Sequence, residues 1–181
     1  MTFDNFTIKS QETIQQAFLL VRDSRNQAVE TGHLLKALLG ENDSIARHLL
    51  AKSGVAVNDL ERVLDRIIES YAKVTGGEQY LSSDASRVLQ NALDLAKKMQ
   101  DQFVSVEHML LALASHNDAV AQMLKDFGVQ SKDLTAAIQS VRKGSAVNSQ
   151  TAEDTYDALN KYAVNLNEQA RNGKSDPVIG R

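Results

Sequence analysis

Residues 14–46, IQQAFLLVRDSRNQAVETGHLLKALLGENDSIA, return 75 positions later as residues 89–121, LQNALDLAKKMQDQFVSVEHMLLALASHNDAVA. The two stretches are identical at 12 of 33 positions, among them His33 with His108, Leu35 with Leu110, Ala37 with Ala112, and Asn42-Asp43 with Asn117-Asp118. Chance would give about two, so the chain is internally duplicated. Within the copies, Ile14, Ala17, Phe18, Val21 and Leu89, Ala92, Leu93, Ala96 fall at i, i+3, i+4, i+7, the apolar stripe of an amphipathic helix. Beyond Ala46 the offset reads as 74, with Gly54-Val55 and Asp59-Leu60 matching Gly128-Val129 and Asp133-Leu134. A second stripe, Leu60, Val63, Leu64, Ile67, returns as Leu134, Ala137, Ile138, Val141.

Outward from these stripes, the punctuation divides each copy into four helices. Thr7, Thr31, Asp43 and Asn58 are the expected caps of the first copy, with Glu61 completing a capping box. Asp84, Ser105, Asp118 and Ser131 are their expected equivalents in the second. Gly54 and Gly128 stop the third helix of each copy, Gly128 at a left-handed C-terminal position. The predicted fold is all-α: two pseudo-symmetric four-helix repeats, about 7–71 and 83–144, eight helices in all. A four-helix unit of about 65 residues has a limited core of its own, so the repeats should pack on each other. Tyr71 to Ser83, with Gly76-Gly77, reads as a mobile connector. After Gly144 the composition turns to Ser, Asn, Gln and Thr. The predicted domain is therefore 1–144, followed by a linker, 145–181, with a helical stretch from Thr151 to about Arg171. The closing NGKSDPVIGR has the chemistry of a connection to a further part of the chain.

Composition agrees. The 181 residues contain 1 Pro, which leaves helices uninterrupted, and no Cys, which excludes disulfides and thiolate metal sites. No apolar run reaches the roughly 18 residues of a membrane span, and the opening MTFDNFTIKS is not a secretory signal, so a cytoplasmic protein with no membrane partner is expected. A formal charge of -3 without a Lys/Arg block lacks the electrostatic footprint of nucleic-acid binding.

Few residues carry chemistry. Gly173-Lys174-Ser175 resembles the end of a phosphate loop, but Glu168 stands where that motif needs its first glycine, and Pro177 follows at once. His33, His48, His108 and His116 lack metal-ligand spacing, and the duplicated pair His33 and His108 suggests a shared packing or hydrogen-bonding role. No nucleophile motif is present, so neither catalysis nor a cofactor is expected of this stretch. A seam between two helical repeats is instead a place to bind. Thr7 at the first helix start, with Asp101 and Glu107 around the turn between the fifth and sixth helices, are placed beside it.

The doubled TGHLLKALL (31–39) and VEHMLLALA (106–114), each followed by Gly-Val, resembles the Clp N-terminal repeat of AAA+ unfoldases. FTIKSQETIQQA (6–17), VNSQTAEDTYDALNKYAVNLNEQARNGK (147–174) and DPVIGR (176–181) are similar to its disaggregase branch, the ClpB type. The resemblance implies the amino-terminal domain and linker of a longer, hexameric ATPase that threads aggregated polypeptide and cooperates with a DnaK-type chaperone. It implies that Thr7, Asp101 and Glu107 handle substrate, that Leu89 and Leu93 match or border an apolar groove between the repeats, and that Asn91 departs from the groove pattern. ATP and Mg would belong to the full-length protein, with Val178 and Ile179 approaching adenine; this stretch alone should bind unfolded polypeptide as a monomer. The alternative is an adaptor-docking domain of a protease-coupled unfoldase of the ClpA or ClpC type.

Overall fold

The apolar stripes bury as their spacing requires. In a computed structural model that describes residues 2–40 and 44–154, Ile14, Ala17 and Val21 line the inner face of α1 (Ile8–Asp23), and Leu89, Ala92 and Ala96 that of α5 (Ser83–Lys98). Leu60 and Leu64 do so on α4 (Val57–Glu69), and Leu134, Ala137, Ile138 and Val141 on α8 (Ser131–Arg142). The helices α2 (Thr31–Leu39) and α6 (Val106–Ser115) are buried nearly all round, as uniformly apolar helices must be. They form the centre of the fold. The helices α3 (Ile45–Lys52) and α7 (Ala119–Asp126) complete the expected eight among the described residues.

The packing obeys the pseudo-twofold relation. Helix α1 lies on α2 as α5 lies on α6, and α2 meets α6 across the seam. Contacts of α4 with α7 are matched by those of α8 with α3, and α1 reaches α6 as α5 reaches α2. One hydrophobic cluster runs through both repeats.

Two very short extended pieces were not legible in the periodicity. Strand β1 (Ala28–Val29) pairs in parallel with β2 (Tyr80–Leu81), Val29 opposite Leu81. Shifting that pair by the repeat offset gives Val104 and Phe6, which form a parallel bridge of their own. Each repeat's first helix is thus preceded by backbone that pairs with the other repeat: the Thr7 N–H donates to the Val104 carbonyl, and the Ser82 N–H to the Val29 carbonyl. The two repeats exchange their leading segments.

Several helix starts differ from expectation. Thr7 and Asp118 cap α1 and α7 by accepting from the backbone of Ser10 and Ala121, and Ser105 caps α6. Helix α5 is capped by Ser82, which accepts from Ala85 N; Asp84 is drawn instead to His116, 2.8 Å away. Glu30 precedes α2, so Thr31 is its first residue, and its hydroxyl donates to Asp118 across the seam. Ser44 caps α3, Asp43 lying outside the described residues. Helix α4 starts at Val57 after Ala56, whose side chain has no acceptor, so the expected cap Asn58 lies inside the helix and Glu61 is held by Lys36 and Arg47 instead. Helix α8 begins at Ser131 after Gln130, again without one. The caps Ser44 and Asp118 differ by 74, not 75, so the one-residue change lies in the loop before α3; buried Leu49 and Leu50 then match Met123 and Leu124.

Gly54 and Gly128 adopt φ of 87° and 90°, the left-handed stops expected of them. The connector after α4 is tied to the first repeat where Val74 N–H donates to the Arg25 carbonyl and the Asn26 amide to the Ala72 carbonyl. After Gly144 the chain stays on the bundle. Val147 and Glu153 are fully buried, Gln102 N–H donates to the Val147 carbonyl, and Ile8 N–H to the Gln150 carbonyl. Packing thus continues to Glu153, next to the last described residue; the expected helix beyond Asp154, Gly173-Lys174-Ser175, and Val178 and Ile179 lie outside the described residues.

Candidate functional site

The duplicated histidines organise the polar interior. Each is the third residue of a central helix, and its Nδ1 accepts from the backbone N–H of the residue capping that helix: Glu30 to His33 at 3.0 Å, Ser105 to His108 at 2.8 Å. An accepting Nδ1 assigns the proton to Nε2. His33 Nε2–H then donates to Asn26 Oδ1 at 3.2 Å, and His108 Nε2–H to Asp101 Oδ2 at 2.7 Å. Asn26 and Asp101 are themselves equivalent across the duplication. Burial, helped by the Lys73 charge, pushes His33 down to about 4, so its ring stays neutral.

The second repeat replaces a neutral arrangement by a charged one. Asp101 Oδ1 accepts from Val147 N–H at 3.0 Å, and Arg142 donates from Nη1 to Asp101 and from Nε to Glu107, both at 2.9 Å. All three side chains are buried. Burial would raise the Asp101 carboxyl, but the bonds from His108, Val147 and Arg142 outweigh it and hold the group at about 2. Burial opposes the Arg142 charge as well, and the Glu107 and Asp101 carboxylates more than restore it. Thr7 joins from the far side. Its Oγ1 lies 2.7 Å from Glu153 Oε2, which also accepts from Val106 N–H at 3.1 Å.

Thr7, Asp101 and Glu107 therefore lie in two adjoining buried clusters, which His108, Arg142 and, on the Thr7 side, Glu153 complete. Sequence reasoning missed the last two. Arg142 left a signal, because it follows Ile138 by four positions and so continues the apolar stripe of α8; Glu153 left none. Leu89 is fully buried in the core, and Leu93 is half-buried against it. Open depressions lie elsewhere. One of about 520 Å³ between α1 and α2 is lined by Thr13, Gln16, Leu20, Lys36 and Ala37. The counterparts of Thr13 and Lys36 in the second repeat, Val88 and Leu111, are both buried. Another, of about 620 Å³, runs along α7 from His116 to Ser131. Among the described residues no cluster of three His, Asp or Glu side chains could hold a metal ion, and no helix is long and apolar enough to cross a membrane.

Residues 5–127 match the family described as the Clp repeat N-terminal domain. The chain belongs to that family. The Clp repeat domain described here is 48% identical, over all 181 of its residues, to chaperone protein ClpB of Bacteroides thetaiotaomicron, and spans 21% of that relative's length. Its fold is similar to the crystal structure of the Hsp104 N-terminal domain of Candida albicans, with a TM-score of 0.73 over 82% of this chain and 99% of the other at 21% identity. A ClpV N-domain solved in complex with a VipB peptide shares the fold, with a TM-score of 0.64 over 76% of this chain and 86% of the other at 17% identity. The Clp repeat domain thus spans about a fifth of the curated relative that it matches.

Proposed function

We propose that this chain is the substrate-engaging amino-terminal domain of an ATP-dependent protein disaggregase, binding unfolded or aggregated polypeptide at an apolar groove between its repeats. The observation that carries this reading is the similarity to chaperone ClpB over the whole of the chain, including residues 147–174, where the general repeat pattern has ended. Leu93, half-buried at the edge of the core, would offer the groove its apolar contact. Leu89 would support it from beneath, and Thr7, Asp101 and Glu107 would fix its walls through their buried bonds. Burying a few leucine-sized side chains, at about 1.5–3 kcal/mol each less the ordering of a flexible chain, gives weak and promiscuous affinity. Such weakness suits a capture step that must release its cargo.

The role is binding and not catalysis: in the cytoplasm, the hexamer, the ATP and Mg chemistry and the cooperation with a DnaK-type chaperone would belong to the full-length protein. An amide NMR titration with an unfolded, aggregation-prone protein, and separately with its folded form, tests the reading. Shifts confined to the unfolded ligand and centred on Leu93 and its neighbours are expected; their absence rejects the groove. A second reading, docking of a dedicated adaptor, draws on the ClpV N-domain that holds a VipB peptide. It would give a stoichiometric complex with one partner and no response to unfolded chains.

A further inference from the structure

We propose that Glu153 is a proton-operated latch that fastens the segment after Gly144, residues 145–154, to the starts of α1 and α6, one helix from each repeat. Its carboxyl is placed for this. On the α1 side Oε2 meets the Thr7 hydroxyl, which is itself bonded to Ser10; on the α6 side it meets the Val106 N–H. The same segment is held by backbone bonds at Ile8 and Gln102 and by the Val147 N–H on Asp101. The Gln150 side-chain amide adds a bond to the Asp4 carbonyl at the surface, but Glu153 is buried and touches both helix starts at once.

The charge count of the cluster makes the link depend on a proton. Asp101, Glu107 and Glu153 bring three buried carboxyls to one buried guanidinium, Arg142. Arg142 is engaged by Asp101 and Glu107, and His108, with Nδ1 accepting, contributes no positive charge. Among the described residues Glu153 Oε1 has no hydrogen-bond partner. A buried charge without a counter-ion is expensive, and the least costly remedy is to protonate the carboxyl that Arg142 does not reach. Burial and the nearby Glu107 carboxylate push Glu153 up to about 7, against the opposing bonds from Thr7, Val106 and its own backbone N–H. The groups acting on it are Thr7 at the start of α1 and the Val106 N–H and Glu107 carboxylate of α6; beyond Glu107 lie Arg142 of α8, His108 of α6 and Asp101 of the α5–α6 turn. Asp154, on its own segment, is exposed.

The sign follows. A carboxyl raised in the docked state holds its proton there while the undocked one has lost it, so the latch is strongest below the ordinary Glu range and weakens as pH rises toward about 7. Neutral surroundings place it near its midpoint.

The test uses this chain with selectively labelled glutamate. The Glu153 side-chain carboxyl resonance should titrate with a midpoint of about 6–8, whereas a midpoint in the ordinary range, near 4.5, overturns the proposal. Hydrogen exchange of the Ile8 and Gln102 amides, corrected for intrinsic rates, should lose tenfold or more protection from about pH 5 to about pH 8, since every pH unit between the docked and undocked midpoints changes the docking equilibrium about tenfold. Leu64, in the core, serves as the reference amide. Glu153→Gln keeps the shape and removes the proton, and should flatten that dependence. An unchanged dependence in this variant overturns the latch, and the carboxyl titration of the unsubstituted chain decides the matter if the variant does not fold.

Discussion

Gly32 and Glu107 occupy equivalent positions in the two central helices, and what one lacks and the other carries decides the filling of the space beside each. Over Gly32 sits the Tyr71 hydroxyl, accepting from the Gly32 N–H at 3.2 Å; beside Glu107 lies the Arg142 guanidinium, whose counterpart at the 74-residue offset is Ile68. A Cβ on Gly32 would come within 2.5 Å of Tyr71 Oη. Gly32→Ala should therefore lose about 1–3 kcal/mol to overpacking, despite alanine's better helix propensity. In a Tyr71→Ala background most of that loss should vanish. Strict additivity of the two costs in urea unfolding would show that Tyr71 does not fill the site.

The second repeat's charge network predicts a larger effect. Arg142→Met leaves two buried carboxylates without their cation and should cost about 3–5 kcal/mol. Adding Asp101→Asn and Glu107→Gln, which imitates the neutral Asn26 arrangement, should restore much of it. Thermal unfolding of the single and triple variants reads this directly, and an equally unstable triple variant would refute the charge argument.

Thr7 serves a cap and a carboxyl together. Thr7→Ala should lower stability by about 1–2 kcal/mol, and Thr7→Ser should retain it. The proposed function adds a loss of affinity for unfolded protein in the Ala variant, measured under conditions where it is fully folded. If stability alone falls, Thr7 is a structural residue.

Leucines 89 and 93 should separate folding from binding. Leu89→Asp puts a charge into the core and should unfold the chain, whereas Leu93→Asp, at the half-buried edge, should fold and bind unfolded protein more weakly. Circular dichroism with a binding isotherm distinguishes the two. Undiminished binding by folded Leu93→Asp removes the repeat seam from consideration.

Two buried groups give opposite pH dependences in nearly the same window. His33, lowered to about 4, contributes stability that is present above 6.5 and lost as pH falls toward 4. Glu153, raised to about 7, contributes stability that is present below 4.5 and lost as pH rises toward 7. They offset each other in global unfolding. Glu153→Gln should expose the histidine, giving stability that falls steadily from about pH 6.5 to about pH 4 in urea titrations; a flat profile in that variant would contradict a neutral buried His33.

The helices were legible because Ile14, Ala17, Val21 and their counterparts repeat at the helical period, and burial follows the period. Caps were less so. Ser82, Ser83 and Asp84 are all capable of capping, and propensity alone does not choose among them; the duplication does, since Ser82 is the counterpart of Thr7. The start of α3 was misregistered because Ala46 and Ala121 are identical by coincidence, while the structural mate of Ala46 is Val120. At the site, Thr7, Asp101 and Glu107 were placed beside the seam from their positions at a helix start and a turn, family resemblance gave them a substrate role, and the structure buries all three in adjoining clusters. Glu153 stayed invisible because its partner Thr7 is 146 residues away, and no local pattern encodes such a meeting.

The exchange of leading segments also has a consequence on the ribosome. A chain lengthening at roughly 5–20 residues per second exposes Thr7 many seconds before Val104 has been made. Until then the first helix lacks the backbone carbonyl that receives the Thr7 N–H, and Phe6 has no strand residue to face. The first repeat cannot complete itself as it emerges. Its apolar stripe must wait for its twin, so the nascent chain passes through an interval in which that stripe has no repeat to pack against.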